Sequence, residues 1–214
     1  MSEAPVMIPN GNLLLEALFD QGGGGDVAVI THPHPLYGGS MDNNVVSVLQ
    51  KALHDWGWGT LRFNFRGVGG STGHHRGAQQ DAEDLLTVCQ YVQQQGKKTL
   101  HFAGYSYGAW IGLRAMKSSL QPNTAILVSP PLDFLDFRGL PPPSCPCLIT
   151  VGDEDDFCTV ESLKNWMASM LGRERTAQLA VLPHCDHFYW DHEALLAANL
   201  ATFLQGQKEI GMTA

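Results

Sequence analysis

The chain has 214 residues, 44% of them hydrophobic and 16% charged, an ordinary globular composition that fits one domain around a single core. Twenty-one acidic side chains against 13 basic ones leave a net charge of −8, and the Lys and Arg residues are scattered, so neither nucleic acid nor an anionic membrane is an expected partner. No run reaches the roughly 18 apolar residues that span a bilayer and the start, Met1-Ser-Glu-Ala-Pro-Val-Met7, lacks the regions of a signal peptide, so a cytoplasmic location is expected.

In chain order, residues 8–20 read as one or two leading strands, and the glycines at 22–25 form a flexible turn. Short apolar runs then alternate with segments of helical period. A strand at 27–32 precedes a helix at 43–56, and a strand at 60–65 precedes a helix at 78–95. The alternation continues with a strand at 99–105, a helix at 109–118, a strand at 125–129 and a strand at 147–151. A helix at 160–170, a strand at 178–182 and a helix at 191–204 complete it. Such alternation predicts a mostly parallel sheet wrapped by helices, and unbroken apolar runs suit strands buried on both faces. In the second helix Leu85, Leu86, Cys89 and Val92 make the apolar stripe, while Gln79, Gln80, Asp81 and Glu83 are expected on the solvent face. Arg173-Glu-Arg175 reads as a solvated helix end, and Pro141-Pro-Pro143 as a stiffened loop. The five cysteines, Cys89, Cys145, Cys147, Cys158 and Cys185, have no zinc-type spacing and suit a reducing compartment.

The chemistry concentrates at the ends of strands. Gly104-Tyr-Ser-Tyr-Gly108 stands where a predicted strand meets a predicted helix, the context a nucleophile elbow requires. The turn must lift Ser106 clear of the sheet, and glycines stand two residues to either side, where a Cβ would clash. A serine hydroxyl needs an imidazole to take its proton and a carboxylate to orient that imidazole. The last strand runs into Pro183-His-Cys-Asp-His-Phe188, where His187 is favoured over His184 as base, and His192 is assigned to the surface of the final helix. The strand at 147–151 runs into Gly152-Asp-Glu-Asp-Asp156, leaving Asp153, Asp155 and Asp156 as rival acids with Asp133 in reserve. Each loop follows a separate strand, in the order nucleophile, acid, base.

Thr31-His-Pro-His34 opens a second possibility, because two histidines two apart at a strand end also begin the ligand set of metallo-β-lactamase-like hydrolases. That set continues Asp-His, whereas Leu36-Tyr37 follow here, and neither can replace a carboxylate and an imidazole at catalytic zinc. A metal-dependent hydrolase using His32 and His34, and a non-catalytic binding protein of the same fold, are therefore the alternatives to a serine hydrolase. His74 and His75 read as exposed loop residues.

Gly-Tyr-Ser-Tyr-Gly at 104–108, Gly-x-x-Asp at 152–155 and Asp-His-Phe at 186–188 resemble the α/β-hydrolase superfamily across essentially the whole chain. His32-Pro-His-Pro-Leu-Tyr-Gly-Gly39 and Arg62-Phe-Asn-Phe-Arg-Gly-Val-Gly-Gly-Ser71 are similar to small, uncapped bacterial members of esterase type. The resemblance implies an α/β-hydrolase fold without a substantial cap, selects Asp155 as the acid, and implies an oxyanion hole with one backbone N–H from the loop after the third strand. That loop commonly begins His-Gly; Pro33 replaces the glycine and, like Pro35, has no N–H to give. His34 is then the expected donor, with Leu36 as fallback, paired with the N–H of Tyr107. The expected activity is cleavage of carboxylic esters through an acyl-enzyme, with thioester and peptide carbonyls as open alternatives, with no cofactor, no metal and a small acyl substrate as the partner. Only residues 132–146 are available where a lid would be inserted, so the cleft is expected to be open, with Leu36, Tyr105, Phe157 and Phe188 contacting substrate. Tyr107, Phe134 and Phe137 are further apolar candidates.

Overall fold

The computed structural model describes residues 3–168 and 177–213. Eight strands form one sheet: β1 (Ala4–Asn10), β2 (Leu13–Asp20), β3 (Asp26–Thr31), β4 (Gly59–Phe63), β5 (Thr99–Tyr105), β6 (Thr124–Val128), β7 (Cys147–Gly152) and β8 (Ala177–Leu182). Their spatial order is β1-β2-β4-β3-β5-β6-β7-β8. The β1–β2 and β2–β4 pairs are antiparallel, and every other pair is parallel. Five helices connect or follow the strands: α1 (Asn44–Asp55), α2 (Ala78–Gln94), α3 (Tyr107–Ser118), α4 (Val160–Ala168) and α5 (Glu193–Thr213).

The unbroken apolar runs have the expected cause. Along β3, Val27 and Val29 enter the core beneath α2, α3 and α4, while Ala28 and Ile30 enter the core beneath α1 and α5. Along β6, Ala125 and Leu127 face the first core, and Ile126 and Val128 the second. Alternate residues go to opposite faces, and both faces are covered, so polarity never alternates.

The strand order fixes where a site belongs. From β3 the chain passes through α1 on one face to β4, and from β5 it passes through α3 on the opposite face to β6. Neighbouring β3 and β5 thus send their connections in opposite directions, which opens a crevice at their carboxyl ends. The loop of His32 and His34 leaves β3 there, and Ser106 leaves β5. The loops after β7 and β8 open on the same edge because those strands are parallel to β5.

Several expectations are corrected. The leading strands begin at Ala4 rather than residue 8, and the final helix begins at Glu193, leaving His192 just outside it. Asp81 is not on a solvent face; it and Asp84 are fully buried. The last two residues of the helix expected at 160–170, and Arg173-Glu-Arg175, lie outside the described residues.

Candidate active site

Ser106 sits between β5 and α3 with φ 53° and ψ −119°, a strained conformation that its surroundings impose. Its N–H donates to the Val128 carbonyl at 2.8 Å, tying the turn to β6. A Cβ on Gly104 would stand 2.7 Å from the Ala109 nitrogen, and one on Gly108 would stand 2.7 Å from the His32 carbonyl oxygen. Strand and helix therefore approach to a distance that only glycine permits.

The geometry brings Ser106, His187 and Asp155 together. His187 Nε2 lies 2.8 Å from Ser106 Oγ, and His187 Nδ1 lies 2.9 Å from both oxygens of Asp155. Nδ1 therefore carries the proton, and Nε2 is the acceptor that faces the hydroxyl. Asp155 is 3% exposed, and its Oδ1 also accepts the N–H groups of Phe157 and Cys158 at 2.9 and 3.0 Å. The rival acids go elsewhere. Asp153 and Asp156 are exposed, and Asp133 accepts from Thr159 N and Ser162 Oγ at the start of α4. His184 is an exposed turn residue beside Glu154, and His192 bonds the Trp190 carbonyl at the surface.

The base loop is braced from below. The Tyr105 hydroxyl donates to the His187 carbonyl at 2.7 Å. Asp186 Oδ1 accepts the N–H groups of Phe188 and Tyr189, and the fully buried Tyr189 hydroxyl meets Ser129 and Thr150. Burial raises the pKa of both tyrosines, which stay neutral hydroxyls.

The loop after β3 has a different task from metal binding. His32 is 1% exposed; its Nδ1–H donates to the Pro33 carbonyl at 2.6 Å, and its Nε2 accepts from Phe65 N at 3.1 Å. Both nitrogens are committed to backbone, which leaves no lone pair for an ion shared with His34. Burial lowers the His32 pKa to about 4, fixing the neutral ring. His34 caps a 3-10 turn over Pro35–Tyr37, and its Nδ1 accepts the Leu36 N–H at 3.2 Å. The fallback oxyanion donor is thereby already occupied. On the other side of Ser106, Tyr107 opens α3, so its N–H has no acceptor within the helix.

Around these groups lies an open cleft of about 490 Å³, lined by His34, Tyr37, Asn43, Tyr105, Phe134, Phe157 and Phe188 among others. Among the described residues, no Asp, Glu, Lys or Arg lines it. Tyr105, Phe157 and Phe188, expected to contact substrate, are part of this lining. Leu36, expected there too, is not among the lining residues; it is 70% exposed, with its N–H bonded to the His34 ring. Phe137 is buried in the core beneath α3 rather than in the cleft.

Two functional-looking residues escape the sequence reading. The Tyr107 hydroxyl donates to Asp81 Oδ2 at 2.6 Å, and His75 Nδ1 lies 3.1 Å from the same oxygen, at ion-pair range but off the hydrogen-bond line. His75 is only 13% exposed at its side chain, not a free loop residue. The helical register held the missed signal, since Asp81 shares a stripe with Leu85, Val88 and Val92.

A sequence model of the alpha/beta hydrolase family matches residues 22–143. An uncharacterized protein of Rickettsia prowazekii is 31% identical over 170 residues, which cover 76% of this chain and 71% of that protein. Among solved structures, an α/β serine hydrolase without lid from Xanthomonas campestris superposes with a TM-score of 0.87 at 29% identity, covering 96% of this chain and 94% of that one. An α/β serine hydrolase homologue from Coxiella burnetii gives 0.86 at 30% identity, with 94% and 97% covered. With a family model over more than half of its length and this fold, the chain belongs to the alpha/beta hydrolase family.

Proposed function

We propose that the protein hydrolyses carboxylic esters of small, uncharged substrates through an acyl-enzyme on Ser106. The observation that carries this reading is the unbroken line Ser106 Oγ, His187 Nε2, His187 Nδ1, Asp155, with contacts of 2.8 and 2.9 Å. His187 takes the serine proton as Oγ attacks the carbonyl carbon, and Asp155 holds the resulting imidazolium in place. The N–H groups of His34 and Tyr107 receive the developing oxyanion, each worth roughly 3 kcal/mol of barrier. Collapse expels the alcohol with the proton from His187. A water deprotonated by the same ring then releases the acid and restores the serine. The chemistry calls for no cofactor. A cleft without a charged wall supports neutral acyl and alcohol groups, since an ionised one would lose its hydration without gaining a partner.

A fluorophosphonate probe is expected to label Ser106, and Ser106→Ala to lose both labelling and turnover of p-nitrophenyl esters while keeping its melting transition. Asp155→Asn is expected to lower kcat by about 10²- to 10⁴-fold. Undiminished turnover by Ser106→Ala would refute the serine mechanism. Faster turnover of acyl-CoA thioesters than of oxygen esters in the same assay would move the substrate class to thioesters.

A further inference from the structure

Asp81 presents a buried carboxylate that the ester mechanism does not use. It rises from the first turn of α2, is 0% exposed, and has one oxygen, Oδ1, with no hydrogen-bond partner among the described residues. Ionised carboxylates are rarely buried without a cation. The nearby guanidinium of Arg66 makes its hydrogen bonds on the neighbouring turn, as a bidentate pair with Asp84. Asp81 is left with the Tyr107 hydroxyl at 2.6 Å and His75 Nδ1 at 3.1 Å. Burial raises its pKa, and the same burial together with the Asp81 bond raises that of Tyr107. A carboxylate buried against its own desolvation invites a reason other than stability.

The reason lies in what the two partners touch. Tyr107 follows the nucleophile, and its N–H is one of the two proposed oxyanion donors. Its ring centroid is 4.4 Å from that of His34, which supplies the other donor. The His75 ring closes the triangle at 5.5 Å from His34 and 6.2 Å from Tyr107. Three segments, the loop after β3, the loop before α2 and the first residue of α3, thus meet over one carboxylate.

We propose that Asp81 is a positioning residue of the oxyanion hole: it fixes Tyr107 through its hydroxyl and backs the His34 ring through His75, so that the two amide donors keep their mutual aim. The proposal rests on the serine esterase reading. A donor displaced by an ångström loses most of its effect on the barrier while substrate binding in the open cleft is untouched.

The test compares turnover with the affinity of phenylboronic acid. In that adduct a lone pair of Ser106 Oγ forms the B–O bond, the serine proton passes to His187, and a boron hydroxyl occupies the oxyanion position. Asp81→Leu, which cannot accept a hydrogen bond, is expected to lower kcat by about 10- to 100-fold with KM within about twofold, and to weaken the boronate by the same factor as kcat. Asp81→Asn keeps an oxygen for the Tyr107 hydroxyl and is expected to recover most of that loss. Should Asp81→Leu fail to fold, Tyr107→Phe carries the test, with losses in kcat and boronate affinity that match. A folded Asp81→Leu or Tyr107→Phe with wild-type kcat and boronate affinity overturns the proposal, as does a variant in which KM alone rises. If the boronate leaves the unaltered protein uninhibited and Ser106→Ala still turns over ester, the serine reading has failed and the clamp falls with it.

Discussion

His32 shows how a residue can look like a ligand and be structural. Its ring is held by one backbone acceptor and one backbone donor, a pattern that only the neutral Nδ1–H form satisfies. Burial, partly opposed by the Pro33 carbonyl, takes the pKa from 6.5 down to about 4. Between those values the unfolded chain binds a proton that the folded chain refuses, so stability is full above pH 6.5 and falls as the pH drops toward 4. From pH 7 to pH 5 this one group should remove about 2 kcal/mol. Urea titrations at the two pH values are expected to show that loss in the native protein and a shallower one in His32→Gln. Equal acid limbs would mean that His32 is not the group that titrates. The same residue marks a limit of the sequence: Thr31-His-Pro-His34 shows where the histidines are but not which backbone groups reach their nitrogens, since Phe65 arrives from the segment just after β4. Asp81 was hidden for a related reason, because a carboxylate within an amphipathic helix reads as solvated until its phenol partner, 26 residues away, is folded against it.

At the scale of elements, the acid and base loops are built as one unit. Asp153 N donates to the Leu182 carbonyl and Glu154 N to the Cys185 carbonyl, both at 3.0 Å, continuing the β7–β8 ladder past the strands. Gly152 makes this close approach feasible: a Cβ there would lie 1.9 Å from the Cys185 carbonyl oxygen, a backbone atom that cannot swing aside. Gly152→Ala is therefore expected to push Asp155 away from His187, costing about 1–3 kcal/mol of stability and at least about 100-fold in kcat. Thermal unfolding and steady-state kinetics on one preparation would check both, and wild-type kcat would show that the two loops are not coupled. Inner strands such as β3 and β6 were legible because burial on both faces leaves unbroken apolar runs. The start of β1 was not: it is an edge strand with prolines at positions 5 and 9, and among its residues only Ile8 is buried. The nucleophile elbow could be read from five residues because its strain demands glycines, whereas position alone left Asp153, Asp155 and Asp156 open until the family resemblance selected Asp155, the only one of the three that the loop buries.

The whole molecule sets its cleft within a net charge of −8, yet among the described residues no Asp, Glu, Lys or Arg stands on the cleft wall. No helix or strand lies between β6 and β7 among the described residues, so that connection contributes Pro131, Phe134 and Leu135 to the cleft wall without a helical cap. These features act on substrates over different distances. The overall field repels anions at long range and is screened by salt, with a screening length of about 30 Å at 0.01 M and about 3 Å at 1 M. The neutral wall acts at contact, by removing the water of an ionised group without replacing it, and salt does not relieve that. The two effects separate in a pair of p-nitrophenyl esters, one of a neutral acid and one bearing a free carboxylate at the far end of the acyl chain. The neutral ester is expected to keep its kcat/KM within about twofold between 0.01 and 0.5 M salt, because neither effect touches it. The anionic ester should be slower throughout and gain at least about threefold as salt removes the long-range repulsion. The deficit that persists at high salt then measures the contact penalty, and should still exceed about tenfold. Equal rates for the two esters at low salt would mean that a cation reaches the bound acyl chain, contradicting a charge-free wall.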